Sequence, residues 1–119
     1  MDLKELQKKQ KEFDKEYFKR FWDIKTEKEF IDRLKYVVVA LSGELGEFAN
    51  IIKKIIRDSE NLNENPSEER MEKLKDELTD VFIYVLITAN LLNVDLEKEY
   101  FRKMNYNRGR FEKYKNNSK

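Results

Sequence analysis

The chain has no cysteine and no histidine, and only one proline and three glycines in 119 residues. Without cysteine there is no disulfide, no zinc–thiolate centre and no thiol nucleophile. The missing histidine excludes more: Ser-His-Asp triads, His-Glu-x-x-His zinc sites and carboxylate–histidine di-iron centres all need it. Metal chemistry, if present, is confined to oxygen ligands, which suit Mg²⁺, Mn²⁺ or Ca²⁺. An excess of one charge is also lacking, with 25 basic residues against 24 acidic. That balance argues against a dedicated binder of nucleic acid or of acidic membrane. No long apolar run occurs: the most apolar stretch, VFIYVLITANLL at 81–92, falls well short of the ~20 residues that span a bilayer. The charged start, MDLKELQKKQKEF, does not read as a secretory leader. A soluble, cytoplasmic protein with one domain over 1–119 is expected.

What the chain does have is the composition of long, charge-laced helices, with 41% charged residues. Four are predicted. The first runs over about 2–20 on a stripe of Leu3, Leu6, Phe13, Tyr17 and Phe21. A second starts at a Thr26/Glu29 capping box and continues through Phe30, Leu34, Val37, Leu41, Leu45, Phe48, Ile52 and Ile55 to about Arg57. The polar stretch DSENLNEN (58–65) reads as a loop. For the third helix, Asn65 is the expected N-cap, Pro66 the first helical residue and Glu68 the N3 residue, with an end near Leu92 and Asn93 beyond it. Asp95 caps the fourth, through about Tyr114, and a disordered tail follows from about 115 to 119. The short 93–95 connection predicts an antiparallel hairpin within a four-helix, all-α bundle.

Within the second helix, ALSGELGEFANIIKK (40–54) combines features a helix core should resist. Gly43 and Gly46 each cost roughly 1 kcal/mol relative to alanine. Glu44 and Glu47 sit among apolar residues. The spacing i, i+3 puts both carboxylates on one face, and Glu77-x-x-Asp80 does the same on the third helix, on a stripe with Lys73 and Tyr84. If the two helices pack antiparallel, four carboxylates converge and repel one another, a conflict that a hard cation such as Mg²⁺ resolves. On a solvated face the same pairs would be ordinary surface charge.

Three spaced elements carry a family resemblance: SGELGEFANIIKK, LKDELTDVFIYVLITANLLNVDLEKEY and RKMNYNRGRF. Over about 33–111 the chain resembles the all-α nucleoside triphosphate pyrophosphatases, the MazG-like family related to dimeric dUTPases and dCTPases. The resemblance implies Mg²⁺ (with Mn²⁺ as a substitute) held by Glu44, Glu47, Glu77 and Asp80. It implies cleavage of a (d)NTP to (d)NMP and pyrophosphate in cleaning the nucleotide pool. Lys103, Asn107 and Arg110 fall at its phosphate-contacting positions, and Lys73 matches a basic position of some members. Either Glu44 or Glu47 is expected to take the proton of the attacking water. Two departures stand out. The 29 residues between the acidic motifs are at the long end for the family, and Gly109 interrupts the last helix just before Arg110.

Base recognition is read from aromatic and amide residues: Phe18, Phe21, Trp22, Tyr36, Asn50 and Asn90 are candidates, with core packing as the competing role for the aromatics and helix pairing for the amides. Apolar residues on the second and third helices exceed what a four-helix monomer can bury, so a homo-oligomer is expected. The resemblance makes it a dimer or dimer of dimers with shared active sites. The competing reading is a non-catalytic interaction or scaffold bundle, its carboxylates paired with lysines. A di-metal oxidase is disfavoured because no histidine is present.

Overall fold

The computed structural model describes residues 1–115. Six helices and no strand are found among them: α1 (Leu3–Tyr17), α2 (Lys19–Trp22), α3 (Glu27–Leu62), α4 (Glu68–Leu91), α5 (Leu96–Arg110) and α6 (Glu112–Lys115). The all-α expectation holds. Of the expected tail, Lys115 is helical and 116–119 lie outside the described residues. No single helix is long and apolar enough to cross a membrane.

The centre is an α3/α4 hairpin. The Thr26 hydroxyl oxygen accepts the Glu29 amide at 3.1 Å, as the capping box predicts, while the Glu29 carboxylate accepts from the Thr26 hydroxyl instead of its backbone N–H. At the far end the structure departs from expectation. Helix α3 does not fray at Arg57 but continues to Leu62, so the predicted 58–65 loop is helical over 58–62. Asn61 bonds back to the Arg57 carbonyl at 2.8 Å, and Asp58 pairs with Arg70 of α4 at 2.6 Å. Asn63, at φ 54°, ends the helix in the left-handed region. The cap of α4 also shifts. Ser67, not Asn65, accepts the Arg70 amide, and Pro66 lies before the cap. Most of the long spacing between the acidic motifs is therefore helical, on the extended end of α3 and the start of α4, rather than loop.

At the other end, α4 closes as the asparagine predicts. Asn93 takes φ 56°, its amide reaches the Asn90 carbonyl at 3.3 Å, and the Val94 amide reaches Ala89 at 2.8 Å. These paired bonds form a Schellman end. Asp95 then caps α5 through the Lys98 amide. The predicted antiparallel hairpin does not follow: α5 leaves α4 at 101°. Gly109 does not interrupt α5 either, since the helix runs to Arg110 and breaks at Phe111.

What sets that corner is α1. Gln7, 8% exposed, donates to the Val94 carbonyl at 2.8 Å and to Asn90 Oδ1 at 3.3 Å. Its own Oε1 accepts the Leu96 amide at 2.9 Å, while Asn90 donates to the Gln7 carbonyl. One glutamine thus ties α1 to the end of α4, the turn and the first turn of α5. The first predicted helix is split at Phe18 (φ −133°, ψ 54°) into α1 and α2. Arg33 of α3 holds α2 down by donating to the Phe21 and Arg20 carbonyls at 2.7 and 2.8 Å.

Few side chains are fully buried: Val37, Ile51, Leu86, Ala89 and Leu91 form the apolar core. Large residues on the hairpin, including Val38, Val39, Leu45, Leu78 and Phe82, stay exposed. The radius of gyration is 18.7 Å, against about 13.5 Å for a compact chain of this length. Replacing Gln7 by alanine leaves the Leu96 amide and Val94 carbonyl without their partner. We expect a loss of about 1–3 kcal/mol of stability in denaturant titration, with faster amide exchange at Leu96.

Candidate metal centre and adjoining cleft

Antiparallel pairing of α3 and α4 decides which side chains meet. Asp58 stands against Arg70 near the tip, Glu44 against Glu77 in the middle, and Tyr36 against Tyr84 towards the base. In the middle step, one oxygen each from Glu44, Glu77 and Asp80 lies within 4.8 Å of the others. Glu47 falls outside that triplet yet faces Glu77. The two i, i+3 motifs do converge.

The electrostatics are those of a cluster short of positive charge. Glu77 is pushed up from 4.5 to about 7, first by a hydrogen bond shared with Glu47, then by burial and by the charges of Glu47 and Glu44. Glu44 Oε2 and Glu77 Oε2 are buried and lack a hydrogen-bond partner. The ion pairs among the described residues are Lys25–Asp23, Arg57–Asp58, Arg70–Asp58, Lys75–Glu72 and Arg102–Glu99. None uses the four clustered carboxylates, whereas a scaffold bundle would pair them with lysines. Orphaned oxygens on an oxygen-only donor set fit a hard divalent cation. Gly43 and Gly46 flank the cluster, and an added Cβ at either would meet nothing within 4 Å. No side chain or neighbouring helix among the described residues presses on either position.

Beside the cluster lies a cleft of about 550 Å³, lined by Asp14, Phe18, Arg20, Phe21, Tyr36 and Tyr84 among others. Tyr84 joins the two. Its hydroxyl is pushed up by burial, then by a hydrogen bond with Tyr36, and further by the charges of Tyr36, Glu44 and Asp80. Three of the six base candidates, Phe18, Phe21 and Tyr36, therefore line a cavity next to the carboxylates. Phe18 and Tyr36 are exposed rather than core, and the Phe21 and Tyr36 rings meet edge to face at 5.7 Å. Trp22 does not line the cleft. It packs on Phe21 at 5.2 Å with the Lys11 ammonium 5.5 Å from its ring. Asn90 is a correction: both ends of its amide are engaged with Gln7, so it pairs helices. Asn50 is exposed on α3 and lies outside the cleft.

The expected phosphate contacts are not brought to the cluster within one chain. Lys103, Asn107 and Arg110 ride on α5, which packs mainly on α1 rather than α3. Lys103 lies 5.3 Å from the Tyr106 ring and Arg110 4.9 Å from that of Phe111. Lys73 is exposed one turn before Glu77. Sequence reasoning named three of the lining residues as base candidates and missed the rest, Tyr84 and Asp14 among them. Tyr84 stood on the Lys73–Glu77–Asp80 stripe, so its place was legible. Asp14 carried no signal, because α1 is polar on most sides.

The sequence model of one protein family, described as the MazG nucleotide pyrophosphohydrolase domain, matches residues 33–113. The Gene 37 protein of Mycobacterium phage L5, whose name states no activity, is 41% identical over 75 residues. That match covers 63% of each chain, so the chain spans less than two thirds of this relative's length. No solved structure matches it.

A raised carboxyl makes a signed prediction. With Glu77 at 4.5 unfolded and about 7 folded, the folded state binds the extra proton in that window. Metal-free protein should therefore lose stability as pH rises from about 4.5 through about 7. Thermal midpoints measured in chelator should fall across that range, and Mg²⁺ should remove the decline at its upper end.

Proposed function

The chain belongs to the MazG nucleotide pyrophosphohydrolase family, and from that premise we propose that it hydrolyses a nucleoside triphosphate to the monophosphate and pyrophosphate with Mg²⁺ or Mn²⁺. The observation that carries the reading is the convergence of Glu44, Glu47, Glu77 and Asp80 with no cation among their partners. Glu44, Glu77 and Asp80 offer the three grouped oxygens and are the ligand set. The chemistry that a bound divalent ion supplies is charge reversal at the cluster, a hold on phosphate oxygens and a more acidic water. Glu47 is the carboxylate left over. It accepts the proton of the attacking water from its place beside Glu77, which as a ligand gives up the proton the two share in the metal-free chain.

The cleft supports binding of the nucleoside half. Phe18, Phe21 and Tyr36 offer ring surface, and Tyr84 keeps that surface next to the carboxylates. A volume of about 550 Å³ suits a base and sugar. The phosphate half needs cations that the same chain does not bring. Lys103, Asn107 and Arg110 lie on an arm turned 101° away from α4, and exposed Val38, Val39, Leu45, Leu78 and Phe82 leave an apolar hairpin face open. Both facts support a dimer, or a dimer of dimers, in which the arm of one copy completes the site of another. Housecleaning of the cytoplasmic nucleotide pool is the role this suits.

Pyrophosphate release from a panel of canonical and damaged NTPs and dNTPs with Mg²⁺ tests the activity, and silence across it overturns the reading. The Glu77→Ala variant should lose Mg²⁺-dependent turnover, and Glu47→Ala should lose at least about 10²-fold in kcat, the contribution of a positioned base. A monomer mass at micromolar concentration in light scattering would refute the shared site.

A further inference from the structure

Among the described residues, Asp14 is the one buried carboxylate that the proposed reaction does not use. It is 4% exposed on α1, and it lines the aromatic cleft. Gln10 donates to its Oδ1 at 2.9 Å, while its Oδ2 is buried without a partner. The Trp22 indole N–H faces the same carboxylate but closes no hydrogen bond of good geometry, and it too is left unpaired. Burial pushes the carboxyl up, and the Gln10 and Trp22 donors hold it down. Gln10 and Trp22 both present donors to it, and the cleft wall adds Lys19 and Arg20 against Glu16. Asp14 is therefore arranged as an acceptor with one oxygen unused.

An unsatisfied buried acceptor is costly and uncommon. Its position in a cleft with ring surface on Phe18, Phe21 and Tyr36 says what chemistry satisfies it. A base stacked there needs a donor that reaches a recessed oxygen. An exocyclic amino group projects beyond the ring edge and does so. The N3–H of uracil or thymine is set back between two carbonyl oxygens, which a carboxylate repels. Resting on the proposed hydrolysis of nucleotides, we propose that Asp14 determines base specificity by accepting a hydrogen bond from an exocyclic amine, selecting cytosine, adenine or guanine nucleotides over uracil and thymine ones.

The test compares kcat/KM with Mg²⁺ for dCTP, dUTP and the pyrimidin-2-one analogue of dCTP, which lacks only the amine. In the wild-type chain, losing the amine should lower kcat/KM about 10- to 100-fold, the range for a hydrogen bond to a charged group. Asp14→Asn, which offers an amide N–H2, should bring the dCTP:dUTP ratio to about one or reverse it. Equal handling of dCTP and its analogue by the wild-type protein overturns the proposal, as does an unchanged ratio in Asp14→Asn. The second outcome would make Asp14 a structural partner of Trp22 only. Should the variant not fold, the wild-type analogue comparison still decides. Calorimetry of the three monophosphates without metal separates the two readings. If no triphosphate is hydrolysed but the cytosine monophosphate binds at least 10-fold tighter than its analogue, the hydrolase reading fails and this one stands. Absence of any preference in binding sinks it.

Discussion

Four carboxylates held on one stretch of a two-helix hairpin repel each other, and much else in the molecule makes sense as the frame that keeps them there. Their convergence needs α3 and α4 antiparallel and in one register. That register is secured away from the cluster, by Asp58 against Arg70 near the tip and by Tyr36 against Tyr84 towards the base. Between these points the chain spends helix propensity on Gly43 and Gly46 and leaves two carboxylate oxygens unpaired. A folded protein tolerates such local conflict at sites that do something other than fold.

The same logic explains why the chain is open. Its core is small, and much of the hairpin's apolar surface stays in water. Basic and aromatic residues collect on an arm that the α4–α5 corner directs away from the acidic centre. Negative and positive halves of the proposed chemistry are thus built on one chain but kept apart on it. The separation has a local cause in the Schellman end at Asn93 and in the contacts of Gln7, not in the arm's own sequence.

The acidic motifs were readable because i, i+3 spacing on a helix leaves little freedom in where side chains point, and Thr26, Asn93 and Asp95 announced three helix ends. Errors came where tertiary contacts outweigh local preference. DSENLNEN is turn-rich by composition, yet the Asp58–Arg70 pair and the Asn61 back-bond favour more helix there. A three-residue connection normally joins antiparallel neighbours, and nothing local to 93–95 reveals that a glutamine 83 residues away from Asn90 sets the angle. Asp14 was invisible for a related reason: its burial depends on a fold-back at Phe18 that no cap or breaker marks.

That glutamine contact has a kinetic side. Residue 7 meets residues 90–96 only after the intervening chain has closed on itself, and closing a loop of that length carries an entropy cost that the local α3/α4 pairing does not. Helix α1 is therefore the element expected to dock last as the chain folds, and the first to leave when the structure breathes. Asp14 through Phe21, which form one wall of the cleft, travel with it or follow directly after it. The rate at which a bound molecule escapes that cleft is then tied to the lifetime of a few hydrogen bonds at the opposite end of α1.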